Sequence, residues 1–292
     1  MNGLRVVIGH LYPDYLNIYA DRGNIAVLER RAAWRGIGFD YRGISVGDRL
    51  SPEEHDFLYI GGGQDHEQAL IASDLAAKGG AIVEAVAGGA SVLAVCGGYQ
   101  LLGSFYRDRS GTELPGVGLF PLHTIAGERR MIGDALLECE LESGESRTLA
   151  GFENHAGRTF LDEGARPLGR VVAGFGNNGD DGLEGCRAGR AVGTYLHGPL
   201  LPRNPWFADW LLAQALARGL GGIGPLDSSF DFAPAAPGMA SSVTALSASA
   251  SMTARPASLP RLTESPFCGC GLCPATPCRD ESYPLRGDLL EH

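Results

Sequence analysis

The chain has 292 residues, 44% hydrophobic and 20% charged, with 43 Gly, 17 Pro and a formal net charge of −10. That length can bury one large core or two modest ones, while the net acidity argues against a nucleic-acid binder, which needs a basic face. No apolar run reaches the roughly 18 to 20 residues that span a bilayer, and the one lysine, Lys78 in LAAKGGA, does not fit the phosphate-binding pattern G-x-x-x-x-G-K-[ST].

The first part of the chain alternates strand and helix signals. Residues 4–9 (LRVVIG) form a short apolar run of the kind a buried parallel strand shows. Residues 24–34 carry apolar side chains at helical spacing, with Asp21 and Asn24 as candidate caps. Residues 39–46 and 56–60 read as the second and third strands, the latter ending at Gly61-Gly62-Gly63. Residues 65–87 are helical in pattern, with a break expected at Gly79-Gly80. Residues 91–95 (SVLAV) form a further buried strand that runs straight into Cys96-Gly97-Gly98, with the next helix expected near Tyr99. This order predicts an α/β fold, a mostly parallel, doubly wound sheet flanked by helices.

The middle reads as further strands at residues 133–141, 147–152, 169–175 and 190–196, joined by Gly-rich turns, which extend the sheet or make a smaller antiparallel one. Residues 204–218 form a helix, with Asn204 as its cap, Pro205 in its first turn and Gly219, Gly221 and Gly222 ending it. From residue 233 to 260 the chain is rich in Ala, Ser and Pro, and such a segment cannot bury enough surface to offset its ordering entropy. The expected organisation is one folded domain over residues 1–225 and a disordered tail over 226–292. The tail holds Cys268, Cys270, Cys273 and Cys278, a tight and irregular spacing in Pro-rich surroundings that argues against a zinc ribbon. No metal and no cofactor are expected.

Residues 92–103 (VLAVCGGYQLLG) are the most informative segment. A buried strand turns sharply into a helix with a cysteine at the turn, the arrangement of a nucleophile elbow with sulfur in the place of a serine oxygen. A helix N-terminus favours thiolate. The Gly97 N–H can face an oxyanion formed on a carbonyl that Cys96 attacks, and a second donor can come from the Gly61–Gly63 strand end, through Gly62 or Gly63. A cysteine nucleophile needs a base. Among His10, His55, His66, His123, His155 and His197, the last ends a predicted strand in VGTYLHGP, and so projects from the sheet edge that carries Cys96.

These residues resemble the class I glutamine amidotransferases, and more narrowly their cobyric-acid-synthase-like branch. The resemblance is carried by HLYPDYLNIYADRGN (10–24), YIGGGQDHEQ (59–68), AVCGGYQLLG (94–103), RMIG (130–133), GFENHAGRT (151–159) and GTYLHGPLLPRNP (193–205), in family order. Within that branch it points to the glutaminase subunits of lipid II isoglutaminyl synthases. It implies an enzyme that hydrolyses L-glutamine and passes ammonia to a MurT-like ATP-dependent ligase subunit. That ligase amidates the D-glutamate of lipid II in peptidoglycan synthesis. A start without the basic and apolar regions of a signal peptide, and no spanning run, give the expectation of a cytoplasmic protein. Cys96 matches the family nucleophile, His197 the family base, and Arg130 an arginine that binds glutamine. An unactivated amide is a poor electrophile, so thiolate and oxyanion site are needed together, and an arginine fork suits the substrate α-carboxylate.

One departure concerns the base. Many class I members carry an acid two residues after the histidine; here that position is Pro199, after Gly198. The expectation is a Cys-His dyad, or an acid brought from elsewhere, with Glu153 and Asp21 as candidates. A histidine without an orienter would leave resting activity low and dependent on the partner. GFENHAGRT reads as a polar, turn-rich loop that lines the site or meets the partner. Rival readings are the amidotransferase of another synthetase, such as one for cobyrinic acid amides, a non-enzymatic scaffold that keeps the fold, and a γ-glutamyl hydrolase acting alone. The first usually carries its ATP-binding domain in the same chain, for which this sequence has no motif, and an intact Cys96 and His197 argue against the second.

Overall fold

Two sheets share the chain, and both active-site candidates leave the first of them. The computed structural model describes residues 4–18, 21–141, 144, 146–197 and 200–219, all within one compact unit. The expected tail, its cysteine cluster and the boundary near residue 225 lie outside the described residues, as do Gly198 and Pro199.

In chain order the elements are β1 (Arg5–Leu11), α1 (Arg22–Trp34), β2 (Gly38–Ile44), β3 (Phe57–Ile60), α2 (Asp65–Ala87), β4 (Ser91–Val95), α3 (Gly97–Leu101), β5 (Phe105–Arg107), β6 (Glu113–Pro115), β7 (Leu122–Glu140), β8 (Ser146–Leu161), β9 (Gly169–Ala173), β10 (Leu183–Glu184), β11 (Cys186–Ala188), β12 (Ala191–Thr194), α4 (Leu200–Arg203) and α5 (Pro205–Gly219). The first sheet has the order β11-β12-β4-β3-β1-β2, parallel except for β11 at its edge. The second sheet runs β10-β9-β7-β5-β6, with β8 paired along β7. The α/β class and the added antiparallel strands follow the sequence reading.

Every residue of β3, β4 and β12 is buried. Parallel strands covered on both faces need such continuous apolar runs rather than alternation. Helix α2 passes through Gly79-Gly80 without the expected break. Two glycines cost a helix about 1 kcal/mol each, but Ile71, Ala72, Leu75, Ile82 and Ala85 bury a stripe on both sides of them. Gly79 itself packs on Val117, to which a Cβ would come within 3.4 Å. Burial therefore outweighs propensity.

Strand β8 also differs from expectation. The segment read as a loop, GFENHAGRT, lies within it. Gly151, Glu153, His155, Gly157 and Thr159 alternate with more exposed neighbours and form its buried face. The period is that of a strand, but the inward residues are polar or small, which hid it. The register of β7 on β8 slips between Ala126 and Met131. Asn204 precedes α5, and its backbone carbonyl accepts from Phe207 and Ala208. Its side chain instead pairs with Ala150 in β8, accepting from the N–H at 2.9 Å and donating to the carbonyl at 2.7 Å.

Candidate active site

Cys96 sits in the turn between β4 and α3 with φ 48° and ψ −105°. Tyr12 is the one other non-glycine residue with positive φ among the described residues. Such a backbone costs about 1 to 3 kcal/mol and persists where its surroundings hold it. Here Cys96 donates its N–H to the Thr194 carbonyl at 2.8 Å, and its own carbonyl accepts from Gln100 at 2.9 Å. The turn lies hard against the end of β3. Gly98 donates to the Gly61 carbonyl at 3.1 Å, and a Cβ on Gly98 would stand 2.7 Å from Ile60 Cγ1 and 2.8 Å from that carbonyl oxygen. Gly97 opens α3 directly, two residues before the predicted start, so its N–H has no intrahelical acceptor. A Cβ on Gly97 would lie 3.0 Å from the Gly63 nitrogen, which shows how closely the two strand ends meet.

His197 arrives from the neighbouring strand. Parallel pairing sets β12 beside β4, with Thr194 opposite Val95. Strand β12 ends at Thr194, earlier than expected, and His197 is held three residues on by a bridge to Phe152 of β8. Its N–H donates to the Phe152 carbonyl at 2.7 Å, and its carbonyl accepts from Phe152 at 3.3 Å. The imidazole is buried, with Asp21 Oδ1 3.6 Å from Nδ1. Burial by itself would push the His197 pKa down; the charges and hydrogen bonds offered by Cys96 and Asp21 outweigh it and raise the pKa to about 10. The structure thus brings Cys96 and His197 together and sets Asp21 behind the histidine.

Of the other predicted site residues, the glycines fall around this pair and Arg130 does not. The Gly62 N–H is taken by Asp21 Oδ2 at 2.6 Å. A Cβ on Gly62 would stand 2.7 Å from His197 Cε1, so only glycine lets the ring sit there. Gly63 and Gly97 are the neighbouring strand-end amides. Arg130 lies in the bulged part of β7, exposed, with its guanidinium donating to Asn154 Oδ1 at 2.8 and 2.9 Å and to the Asn154 carbonyl at 3.1 Å. It is not brought against Cys96 or His197; its link to the site runs through Asn154, the residue before His155.

Sequence reasoning missed Gln68, Gln100 and Tyr195, which belong to a polar network beside the site. Gln68 donates to Gln100 at 3.0 Å, Gln100 to the Tyr195 hydroxyl at 3.1 Å, and that hydroxyl lies 2.6 Å from Thr159. His155 stacks on Tyr195, ring centroids 3.5 Å apart and planes at 5°, and burial lowers its pKa, which keeps it neutral. Glu153 is committed elsewhere: its two oxygens accept from the Phe175 and Gly176 N–H groups at 2.6 and 3.0 Å. For Glu153, His155 and Thr159 the signal was the alternation within β8. Among the described residues no group of three or more His, Cys, Asp or Glu is placed to hold a metal ion.

A profile of the CobB/CobQ-like glutamine amidotransferase domain matches residues 7–205. The chain belongs to that family. It is a glutamine amidotransferase, and its curated relatives narrow the branch. It is 41% identical over 213 residues to the GatD subunit of the glutamine-hydrolyzing lipid II isoglutaminyl synthase of Staphylococcus aureus, covering 73% of this chain and 85% of that protein. It is 40% identical over 215 residues to the same subunit of Streptococcus pneumoniae, covering 73% and 82%. A cobyric acid synthase from Chlorobium phaeobacteroides is 33% identical over 123 residues, which are 40% of this chain and 23% of that protein. The amidotransferase has no helix, among the described residues, long and apolar enough to cross a membrane.

Proposed function

We propose that this chain is the glutaminase subunit of a lipid II isoglutaminyl synthase. In this reading it hydrolyses L-glutamine in the cytoplasm and supplies ammonia to a separate, MurT-like ATP-dependent ligase that amidates the D-glutamate of lipid II. The observation that carries the chemistry is the buried contact of Cys96, on its strained turn, with His197. The relatives' names carry the assignment to lipid II.

The steps follow from the residues. His197 holds the thiol proton, and the Cys96 sulfur attacks the side-chain amide carbon of glutamine. The oxyanion faces the Gly97 and Gly63 N–H groups, while the Gly62 N–H stays with Asp21. His197 gives its proton to the amide nitrogen, the C–N bond breaks and ammonia leaves. A γ-glutamyl thioester remains on Cys96. His197 then takes a proton from water, whose oxygen attacks the thioester; the C–S bond breaks, glutamate leaves and the proton returns to the Cys-His pair. Arg130 offers its fork to the substrate α-carboxylate, releasing Asn154 or sharing it. The chain uses no cofactor in these steps.

The test is co-purification with a MurT-like ligase followed by lipid II amidation driven by glutamine or by ammonium. Cys96→Ala is expected to abolish the glutamine-driven reaction and spare the ammonium-driven one. A variant that still uses glutamine would refute the mechanism. Equal glutaminase rates with and without the ligase would refute dependence of the resting activity on the partner.

A further inference from the structure

We infer that Asp21 is the carboxylate that positions His197, supplied from the head of α1 rather than from the strand end that carries the histidine. The inference rests on the reading of Cys96 and His197 as the glutaminase pair. Asp21 occupies the N-cap position of α1, where an aspartate usually accepts an N–H of the helix's own first turn. Here it makes no such bond. Its Oδ2 takes the Gly62 N–H at 2.6 Å, and its Oδ1 points at His197 Nδ1 from 3.6 Å. Both side chains are completely buried, and the one polar partner Oδ1 faces is His197 Nδ1, at a distance longer than an ordinary hydrogen bond. A buried carboxylate oxygen in that state is costly unless a cation stands beside it. A protonated His197 is that cation. The separation is long for a hydrogen bond, as resting catalytic contacts often are.

The carboxylate is itself held in place. The Asp21 carbonyl accepts from Asn24 N–H at 3.0 Å and from the Tyr59 hydroxyl at 3.3 Å, and the Gly62 bond ties the side chain to the end of β3. Glu153, the other acid near the site, has both oxygens on backbone N–H groups and faces His155 at 3.6 Å. The titratable groups that face His197 are therefore Cys96 from the β4–α3 turn, Asp21 from the head of α1 and His155 from β8. With a carboxylate at Nδ1, the proton stays on Nδ1, and Nε2 is left to exchange a proton with Cys96 and the substrate. The missing acid two residues after His197 is thus replaced in space, from a part of the chain far away in sequence.

Asp21→Asn separates positioning from structure. The amide oxygen can still accept the Gly62 N–H, but the amide NH2 would then face Nδ1 and favour the tautomer protonated on Nε2, which cannot act as base. The expected result is a fall in kcat for glutamine of roughly 10²- to 10⁴-fold with KM within about two-fold. The alkaline limb of the pH profile should move to lower pH. Alkylation of Cys96 by iodoacetamide at pH 7, read on its own peptide by mass spectrometry, should slow. A variant with wild-type kcat and an unchanged pH profile would overturn the inference. A measurement on the wild-type chain serves if the variant fails to fold. With 15N-labelled histidine, NMR should show His197 protonated at Nδ1 between pH 6 and 9, and a neutral ring protonated at Nε2 would overturn the inference. Glutaminase activity in Cys96→Ala sinks the underlying mechanism, whereas an inactive Cys96→Ala beside a fully active Asp21→Asn sinks only the role of Asp21.

Discussion

Replacing Glu184 by glutamine removes a buried carboxylate whose partners are all neutral. Its oxygens accept from the Thr194 hydroxyl at 2.9 and 3.1 Å and from the Tyr195 N–H at 2.6 Å. Burial raises its pKa from 4.5 to about 7, against the opposing effect of those hydrogen bonds. The folded state therefore binds a proton that the unfolded chain has released between pH 4.5 and 7. Stability from this group is fully present below pH 4.5 and is lost as pH rises through 7. A shift of that size, at about 1.4 kcal/mol per pH unit, corresponds to about 3 kcal/mol at pH 8 and about 1 kcal/mol at pH 5. Glu184→Gln keeps the shape and an acceptor for Tyr195 but cannot ionise. It is expected to be more stable than wild type by about 3 kcal/mol at pH 8, or roughly 6 to 12 °C in Tm, and by only about 1 kcal/mol at pH 5. Urea unfolding of both chains at the two pH values is the assay. A stability difference that is the same at pH 5 and pH 8 would refute the reasoning, since only ionisation makes it depend on pH.

The remaining expectations concern placement and anchoring. Gly62→Ala puts a methyl group 2.7 Å from His197 Cε1, and displacing the ring by a fraction of an ångström to an ångström should cost on the order of 10²-fold in kcat with glutamine; steady-state kinetics check it, and an unaffected kcat would remove the steric argument. Asn204→Ala loses the paired bonds to Ala150 and leaves a half-buried backbone donor and acceptor without their protein partner, so denaturation should show a loss of about 1 to 2 kcal/mol.

The central sheet was legible because parallel strands buried on both faces leave a plain mark, short apolar runs ending in glycine. Cys96 was legible for the same reason: the run SVLAV stops at it, and the glycines that follow let the turn press on β3. His197 could be picked out by its place beyond a strand, although the strand ends earlier and β8 does the holding. Three features left no such mark. The unbroken course of α2 depends on tertiary burial on both sides of Gly79-Gly80. The inner face of β8 is polar, so its period of two carried no hydrophobic signal. Asp21 was a candidate both for a helix cap and for an acid beside His197, and only the approach of Gly62 and His197 in space shows where its carboxylate lies. The weak local signals of β5 and β6, three residues each, were missed altogether.

The parallel pairing of β4 with β12 joins two stretches of chain about a hundred positions apart, and everything from β5 to β11 lies between them in sequence. Contacts so distant along the chain carry a loop-closure cost and slow folding. Under the chemistry proposed above, a growing chain that has reached β11 already carries its nucleophile but has no base to work it. In that reading ammonia production begins only once the chain has passed His197 and β12 has paired with β4, so shorter chains hydrolyse no glutamine.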